Sequence, residues 1–260
     1  EVPTGITVEG EVPNYRAVTD AMLQNPDPSD WLMLRGNQSA HSYSALSAID
    51  RSNVKGLQLQ WVWSLGETGT SQLSPLVHDG ILYLYATGNR VQALEAATGD
   101  LIWEYSLGGR AGVMRGMAIY QDKLITNTPN GHIVALKAHN GELIWDASLG
   151  EGFGNSSGPL VANGKIFTGM TSCTRFRPEK CFVSAWDVND GKLLWKFETA
   201  ARDEVDRATE AAGGHVGRGD LGDLDARDVV ERHLAQVEGT AVASEGRGGF
   251  GAVFRSLREW

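Results

Sequence analysis

Val91-Gln92-Ala93-Leu94-Glu95-Ala96-Ala97-Thr98-Gly99-Asp100-Leu101-Ile102-Trp103 decides the fold, because the chain repeats it. Ala135-Leu136-Lys137-Ala138-His139-Asn140-Gly141-Glu142-Leu143-Ile144-Trp145 keeps its frame, and so does Ala185-Trp186-Asp187-Val188-Asn189-Asp190-Gly191-Lys192-Leu193-Leu194-Trp195. Each runs from Ala to a Gly six residues on and a Trp four residues further. Trp103 to Trp145 is 42 residues and Trp145 to Trp195 is 50, a period that marks a repeat architecture. Every copy reads as strand, tight turn, strand. The polar run ending in Gly supplies the turn, since Gly accepts the positive φ such turns need. The Trp falls on the return strand, where a large flat ring fills the gap to a neighbouring sheet.

Trp61 lies 42 residues before Trp103 and is followed by Ser64-Leu65-Gly66, as Trp103 is by Ser106-Leu107-Gly108 and Trp145 by Ser148-Leu149-Gly150. Leu57–Gly66 is therefore read as a strand, giving four Trp strands of which three follow a full repeat. Between them lie three hairpins. Pro75–His78 turns at Asp79-Gly80 into Ile81–Ala86, Met117–Tyr120 at Gln121-Asp122 into Lys123–Asn127, and Pro159–Val161 at Asn163-Gly164 into Lys165–Met170. Asp-Gly and Asn-Gly between apolar runs are hairpin signals. Four antiparallel strands per period of about 42 residues make a propeller blade, so the fold class is all-β. The third repeat is longer by an insert, Thr171–Cys181.

The chain divides into residues 1–56, an arm with a helical turn near Val18–Gln24 and a first strand over Trp31–Gly36; residues 57–199, the blades; and residues 200–260, an atypical tail. Residues 201–260 hold no Lys, Asn, Ile, Met, Tyr, Pro or Cys, but ten Gly and eight Arg. A shifted reading frame, a fusion or a disordered tail would each give this composition. Asp223–Val237 has the spacing of an amphipathic helix. Gly246–Val253 satisfies a kinase glycine-loop pattern, but only seven residues follow it and none is the required Lys. The net charge of −9 argues against nucleic-acid and anionic-membrane partners. No run approaches the ~18 apolar residues of a membrane helix. The start at Glu1-Val2-Pro3, without Met or signal peptide, reads as a processed or excised chain.

The repeats resemble the tryptophan-docking frame of the pyrroloquinoline quinone (PQQ) dehydrogenases. Val18-Thr19-Asp20-Ala21-Met22-Leu23, Asn25-Pro26-Asp27-Pro28, Asp30-Trp31-Leu32-Met33, Tyr43-Ser44 and Asn53-Val54-Lys55-Gly56-Leu57 look like the start of the methanol/ethanol-type quinoprotein alcohol dehydrogenases. The resemblance covers roughly residues 14–199. It implies about three blades of an eight-bladed propeller, a periplasmic location, PQQ with Ca²⁺ or a lanthanide on the axis, a small primary alcohol as substrate and a cytochrome c as electron acceptor. The rival reading is a non-catalytic interaction propeller built from the same repeat.

PQQ is a planar tricarboxylate and calls for cations, hydroxyls and flat walls. Arg115-Gly116-Met117-Ala118 matches the family's Arg-Gly-x-Ala entry to a blade, which implies that Arg115 contacts the cofactor. Gln72 falls where the family has a Glu that touches PQQ. Within Asn155-Ser156-Ser157-Gly158-Pro159, Ser156 falls at the hydroxyl that binds a PQQ carboxylate. Thr171-Ser172-Cys173-Thr174 stands where the family's first metal-binding Glu is expected, so Thr174 is a candidate cofactor contact and no metal ligand is assigned; a hard cation prefers carboxylate oxygen. The family's catalytic Asp, metal-binding Asn and floor Trp come after Thr199, and the tail offers no match, so no catalytic residue is assigned. The adjacent cysteine pair of many members is absent. Cys173 and Cys181 flank a loop containing Pro178, and in an oxidising compartment they can close it with a disulfide.

Overall fold

A computed structural model describes residues 4–66, 71–109, 112–150, 152–171, 173–174 and 177–200. The tail, with the helix expected at Asp223–Val237 and the run Gly246–Val253, lies outside the described residues. Each hairpin and each Ala-to-Trp copy forms the strands expected of it. They are β2 (Leu76–His78), β3 (Ile81–Ala86), β4 (Arg90–Glu95) and β5 (Leu101–Ser106) in the first repeat, then β6 (Ala118–Tyr120), β7 (Lys123–Asn127), β8 (His132–Lys137) and β9 (Leu143–Ser148) in the second. The third holds β10 (Leu160–Ala162), β11 (Lys165–Gly169), β12 (Phe182–Asp187) and β13 (Leu193–Glu198). Within each repeat the strands pair antiparallel in sequence order. These three successive blades do not close into a ring.

The tryptophans occupy equivalent places. Trp103 pairs with Ala93, Trp145 with Ala135 and Trp195 with Ala185, each beside a register shift just past the Ala. Such a bulge re-aims the return strand and its side chains. Trp103 Nε1 donates to the Ala138 carbonyl and Trp145 Nε1 to that of Val188, both at 3.2 Å. The acceptor is each time the third residue past the Ala of the next blade. A Cβ built on Gly141 would lie 2.5 Å from the Trp103 ring, and one on Gly191 2.6 Å from Trp145. These glycines also have φ of +75° and +67°, so turn geometry and ring contact both demand the residue.

Three expectations change. Leu57–Gly66 is not a strand. Trp61 still docks, with its Nε1 3.1 Å from the Ala96 carbonyl and its ring against Gly99. Yet this stretch has no ladder partner among the described residues, and Leu57, Leu59 and Val62 are exposed. A strand exists only where its N–H and C=O groups are paired. Trp31–Gly36 is likewise no strand: Trp31 makes a single bridge to Val77, and the chain then turns, with Gly36 N–H donating to Met33. Conversely, β1 (Gly5–Val8), inside what reads as an extended arm, pairs with β5 and makes the first sheet five-stranded.

The arm crosses the hairpin turns of all three blades. Arg16 makes a two-pronged ion pair with Asp79, at 3.0 and 2.6 Å. Val18 exchanges backbone bonds with Gln121. Asp20 opens the helix α1 (Asp20–Gln24), capped by Thr19. Its carboxylate accepts from the Asn163 N–H at 2.9 Å and the Tyr120 hydroxyl at 2.7 Å. That bond and burial raise the Tyr120 pKa to about 12, burial contributing most. Asp30 then returns to the first turn and accepts from the Asp79 N–H at 3.0 Å, while its other oxygen faces His78 Nδ1 at 3.0 Å. His78 Nε2 faces the Arg16 carbonyl at 2.8 Å. Both ring nitrogens thus meet oxygen atoms of the arm.

Asp30 and His78 are both buried, so an unpaired partner is costly. Asp30→Asn is expected to lower stability by roughly 1–3 kcal/mol, read as a fall in the midpoint of thermal unfolding. An unchanged midpoint would show that the arm is not anchored here.

Candidate functional site

The first strand of each blade runs from an entry segment to a hairpin turn. The arm covers the turns, so the entry segments lie at the opposite ends of these strands. Main-chain bonds string the entries together: Ser74 N–H donates to the Arg115 carbonyl at 3.4 Å, and Arg115 N–H to the Ser156 carbonyl at 3.0 Å. The glycines beside these residues permit it. A Cβ on Gly158 would fall 2.6 Å from the Gly116 carbonyl carbon, and one on Gly154 2.8 Å from the Pro129 oxygen.

Of the residues singled out from sequence, Arg115 and Ser156 are brought together directly. Arg115 Nη1 donates to Ser156 Oγ at 2.6 Å. The Arg115 side chain is exposed and Ser156 half-buried, and no carboxylate of the described residues pairs with the guanidinium. Accepting from Arg115 leaves the serine hydroxyl its own proton to donate. A guanidinium with spare N–H groups beside a hydroxyl donor is a half-site for a planar carboxylate. Gln72 is exposed, two residues before Ser74 on the first entry. Thr174 is elsewhere, in the insert, where its carbonyl accepts from Arg177 N–H at 2.9 Å. Cys173 and Cys181 form a disulfide with Cα atoms 4.6 Å apart, as their placement about the loop led one to expect.

Behind Ser156 stands a buried polar network that the sequence did not announce. Asn155 Nδ2 donates to Thr168 Oγ1 at 2.6 Å and to the Gly169 carbonyl. Its Oδ1 accepts from the Ser157 N–H at 2.7 Å and from the Ser157 hydroxyl at 2.8 Å. Asn127 Nδ2 donates to the Ser157 carbonyl at 2.9 Å and to Thr168 Oγ1 at 3.0 Å. Their Nδ2 groups tie the third entry across two blades, while Asn127 Oδ1 is buried without a hydrogen-bond partner among the described residues. One signal was visible: Asn127 is the last residue of β7 and Asn155 lies on the entry to β10, amides at the edges of a blade's strands.

Among the described residues, one group of His, Asp or Glu is dense enough to hold a cation: Asp30, His78 and Asp79. It lies at the turn end, and Arg16 and the His–Asp pair already engage its atoms. Thr171, Cys173 and Thr174 present no carboxylate where the metal-binding Glu was sought.

A family model described as the PQQ glucose/ethanol/alcohol dehydrogenase β-propeller domain matches residues 31–220. The dehydrogenase subunit of a quinone alcohol dehydrogenase from Acetobacter aceti is 37% identical over 86 residues, 33% of this chain and 12% of the relative. A quinohemoprotein alcohol dehydrogenase from Comamonas testosteroni is 36% identical over 74 residues, 28% of this chain and 10% of the relative. A solved europium-containing methanol dehydrogenase superposes with a TM-score of 0.63 at 26% identity, over 71% of this chain and 34% of its own. The chain thus spans about an eighth of the first curated relatives and a third of that structure.

Proposed function

The chain belongs to the PQQ glucose/ethanol/alcohol dehydrogenase β-propeller family, and from that premise we propose that it forms part of the quinone-binding wall of an alcohol dehydrogenase. The observation that carries the reading is the pair Arg115 and Ser156, 2.6 Å apart on adjacent blade entries. Its donor set suits a PQQ carboxylate: the guanidinium supplies charge and two parallel donors, and the hydroxyl supplies one more. Gln72, one blade earlier, adds a neutral hydrogen-bonding group. When bound, the quinone supplies the two-electron acceptor for oxidation of a primary alcohol to an aldehyde. The residues of this chain bind and orient it, held still by Asn155, Asn127 and Thr168. Thr174 is proposed as a neighbouring contact from the insert.

The metal is a different matter. Ca²⁺ and the lanthanides are hard ions that take carboxylate oxygens, and the set Thr171, Cys173 and Thr174 does not fit them. No step is assigned to a metal on these residues. A periplasmic location is part of the proposal; the cystine supports it, since disulfides persist in oxidising compartments. A small alcohol and a cytochrome c acceptor are the proposed partners.

Equilibrium dialysis against PQQ tests the reading. The chain is expected to retain PQQ, and Arg115→Ala to weaken retention about tenfold, the ~1.4 kcal/mol worth of a charge-assisted contact at a partly wet site. Arg115→Lys should recover part of the loss, since it restores the charge but not the fork. Equal retention by the wild-type chain and Arg115→Ala would remove the pair from the cofactor site.

A further inference from the structure

The insert Thr171–Cys181 has no counterpart in the second blade, where the short turn Thr128-Pro129-Asn130-Gly131 joins the same strands. A surface insert of this length needs no anchor for the fold to form. This one is anchored at both ends, and on one place. At its start, the Thr171 N–H and hydroxyl both donate to the Gly154 carbonyl, at 3.0 and 2.7 Å. At its far end, Lys180 Nζ donates to the Gly152 carbonyl and sits 5.7 Å from the centre of the Phe153 ring. Phe153 in turn packs edge-on against Phe182, 5.6 Å between ring centres. The insert therefore grips residues 152–154, the approach to Ser156.

The cystine fixes the grip. Cys181 is buried, leads directly into β12, and its carbonyl accepts from the Thr199 N–H at 2.8 Å beyond the end of β13. Cys173 is exposed and two residues past Thr171. The disulfide thus joins the exposed side of the insert to the framework of the third blade, within reach of both anchors. From Gly154 the path continues for two residues to Ser156, which holds the Arg115 backbone at 3.0 Å and its side chain at 2.6 Å.

We propose that the Cys173–Cys181 cystine and Thr171 are positioning elements for the Arg115–Ser156 half-site: they set the third blade's entry segment rather than merely closing a loop. The inference rests on the cofactor reading only for its consequence, since the mechanical coupling is independent of what binds. A dithiol reductant would break the bridge by exchange, giving two cysteine thiols and the oxidised reagent as disulfide. Thr171 and Lys180 would then keep only their hydrogen bonds to Gly154 and Gly152, without the covalent link that holds the two arms of the insert together, and the entry segment would sample positions in which Ser156 no longer meets Arg115.

Hydrogen exchange on the full chain, before and after reduction under native conditions, reads the coupling directly. Amides of 152–158 and Arg115 should exchange at least tenfold faster once reduced, while β7–β9 keep their protection. Faster exchange confined to 173–181 would overturn the proposal. Dialysis gives the second arm: reduction should weaken PQQ retention several-fold, with reoxidation restoring it. Should the oxidised chain retain no PQQ, the cofactor reading falls and the exchange data alone decide the positioning claim. Thr171→Val, which keeps the cystine but removes the hydroxyl donor, should reproduce part of both effects, and Thr171→Ser should rescue them. A loop staple with no positioning role would leave Thr171→Val indistinguishable from wild type.

Discussion

Replacing Trp103 with alanine is expected to cost roughly 3–5 kcal/mol, a large part of the ~5–15 kcal/mol that holds a domain folded. Trp103 is completely buried, lies on Gly141 of the following blade and donates to the Ala138 carbonyl at 3.2 Å. Its removal leaves a cavity between two sheets and strips that carbonyl of its partner, and both penalties fall on the contact that spaces the blades. Thermal unfolding should move down by roughly 6–20 °C for a chain of this size. Gly141→Val approaches the same contact from the other side. Its Cβ would sit 2.5 Å from the ring at a φ of +75°, where a β-branched residue is strained whatever the space. The two substitutions should couple in a double-mutant cycle, because valine loses its clash once the ring is gone. A Trp103→Ala midpoint within 2 °C of wild type would show that the blades are spaced by something other than this docking.

The same contact explains how much of the fold could be read in advance. Ala, Gly and Trp at fixed spacing specify a strand and a positive-φ turn from neighbours within one repeat, and because the spacing recurs, the ring meets the same Gly position one repeat on. The features that escaped depend on distant partners. Gly5–Val8 is short and begins with Gly, so nothing local marks it as a strand; it becomes one because Ser106 and Tyr105 offer an open edge. Leu57–Gly66 has the strand's pattern and its Trp docks, but pattern cannot supply a backbone partner. Trp31–Gly36 is apolar enough for a strand, yet Gly36, at φ +81° and 3.0 Å from the Trp31 ring by its Cβ position, turns the chain away. The site divides in the same way. Arg115 and Ser156 stand in motifs that could be matched residue by residue. The bond from Thr171 to Gly154 joins residues 17 apart through an insert that no motif describes.

Mixed with PQQ and Ca²⁺ or a lanthanide, the 260-residue chain is expected to show no alcohol-dependent dye reduction above background. Two physical reasons converge. The guanidinium of Arg115 is exposed, and electrostatic stabilisation of a reacting group is far weaker beside water than in an enclosed site, so PQQ retained there is bound without being activated. Alcohol oxidation also needs a group to take the hydroxyl proton, and positioned proton transfer contributes roughly 10²–10⁴ in rate. Resemblance assigns that base and the metal carboxylates to positions that Thr171, Cys173, Thr174 and the rest of 14–199 do not fill. Fusing these residues to the later blades of a quinoprotein relative should restore turnover by enclosing the cofactor and supplying the base. In that fusion Arg115→Ala should act on PQQ retention before it acts on turnover of the loaded enzyme. Turnover by the 260-residue chain alone would mean that its own residues carry the proton transfer, and the assignment of base and metal to other blades would have to be abandoned.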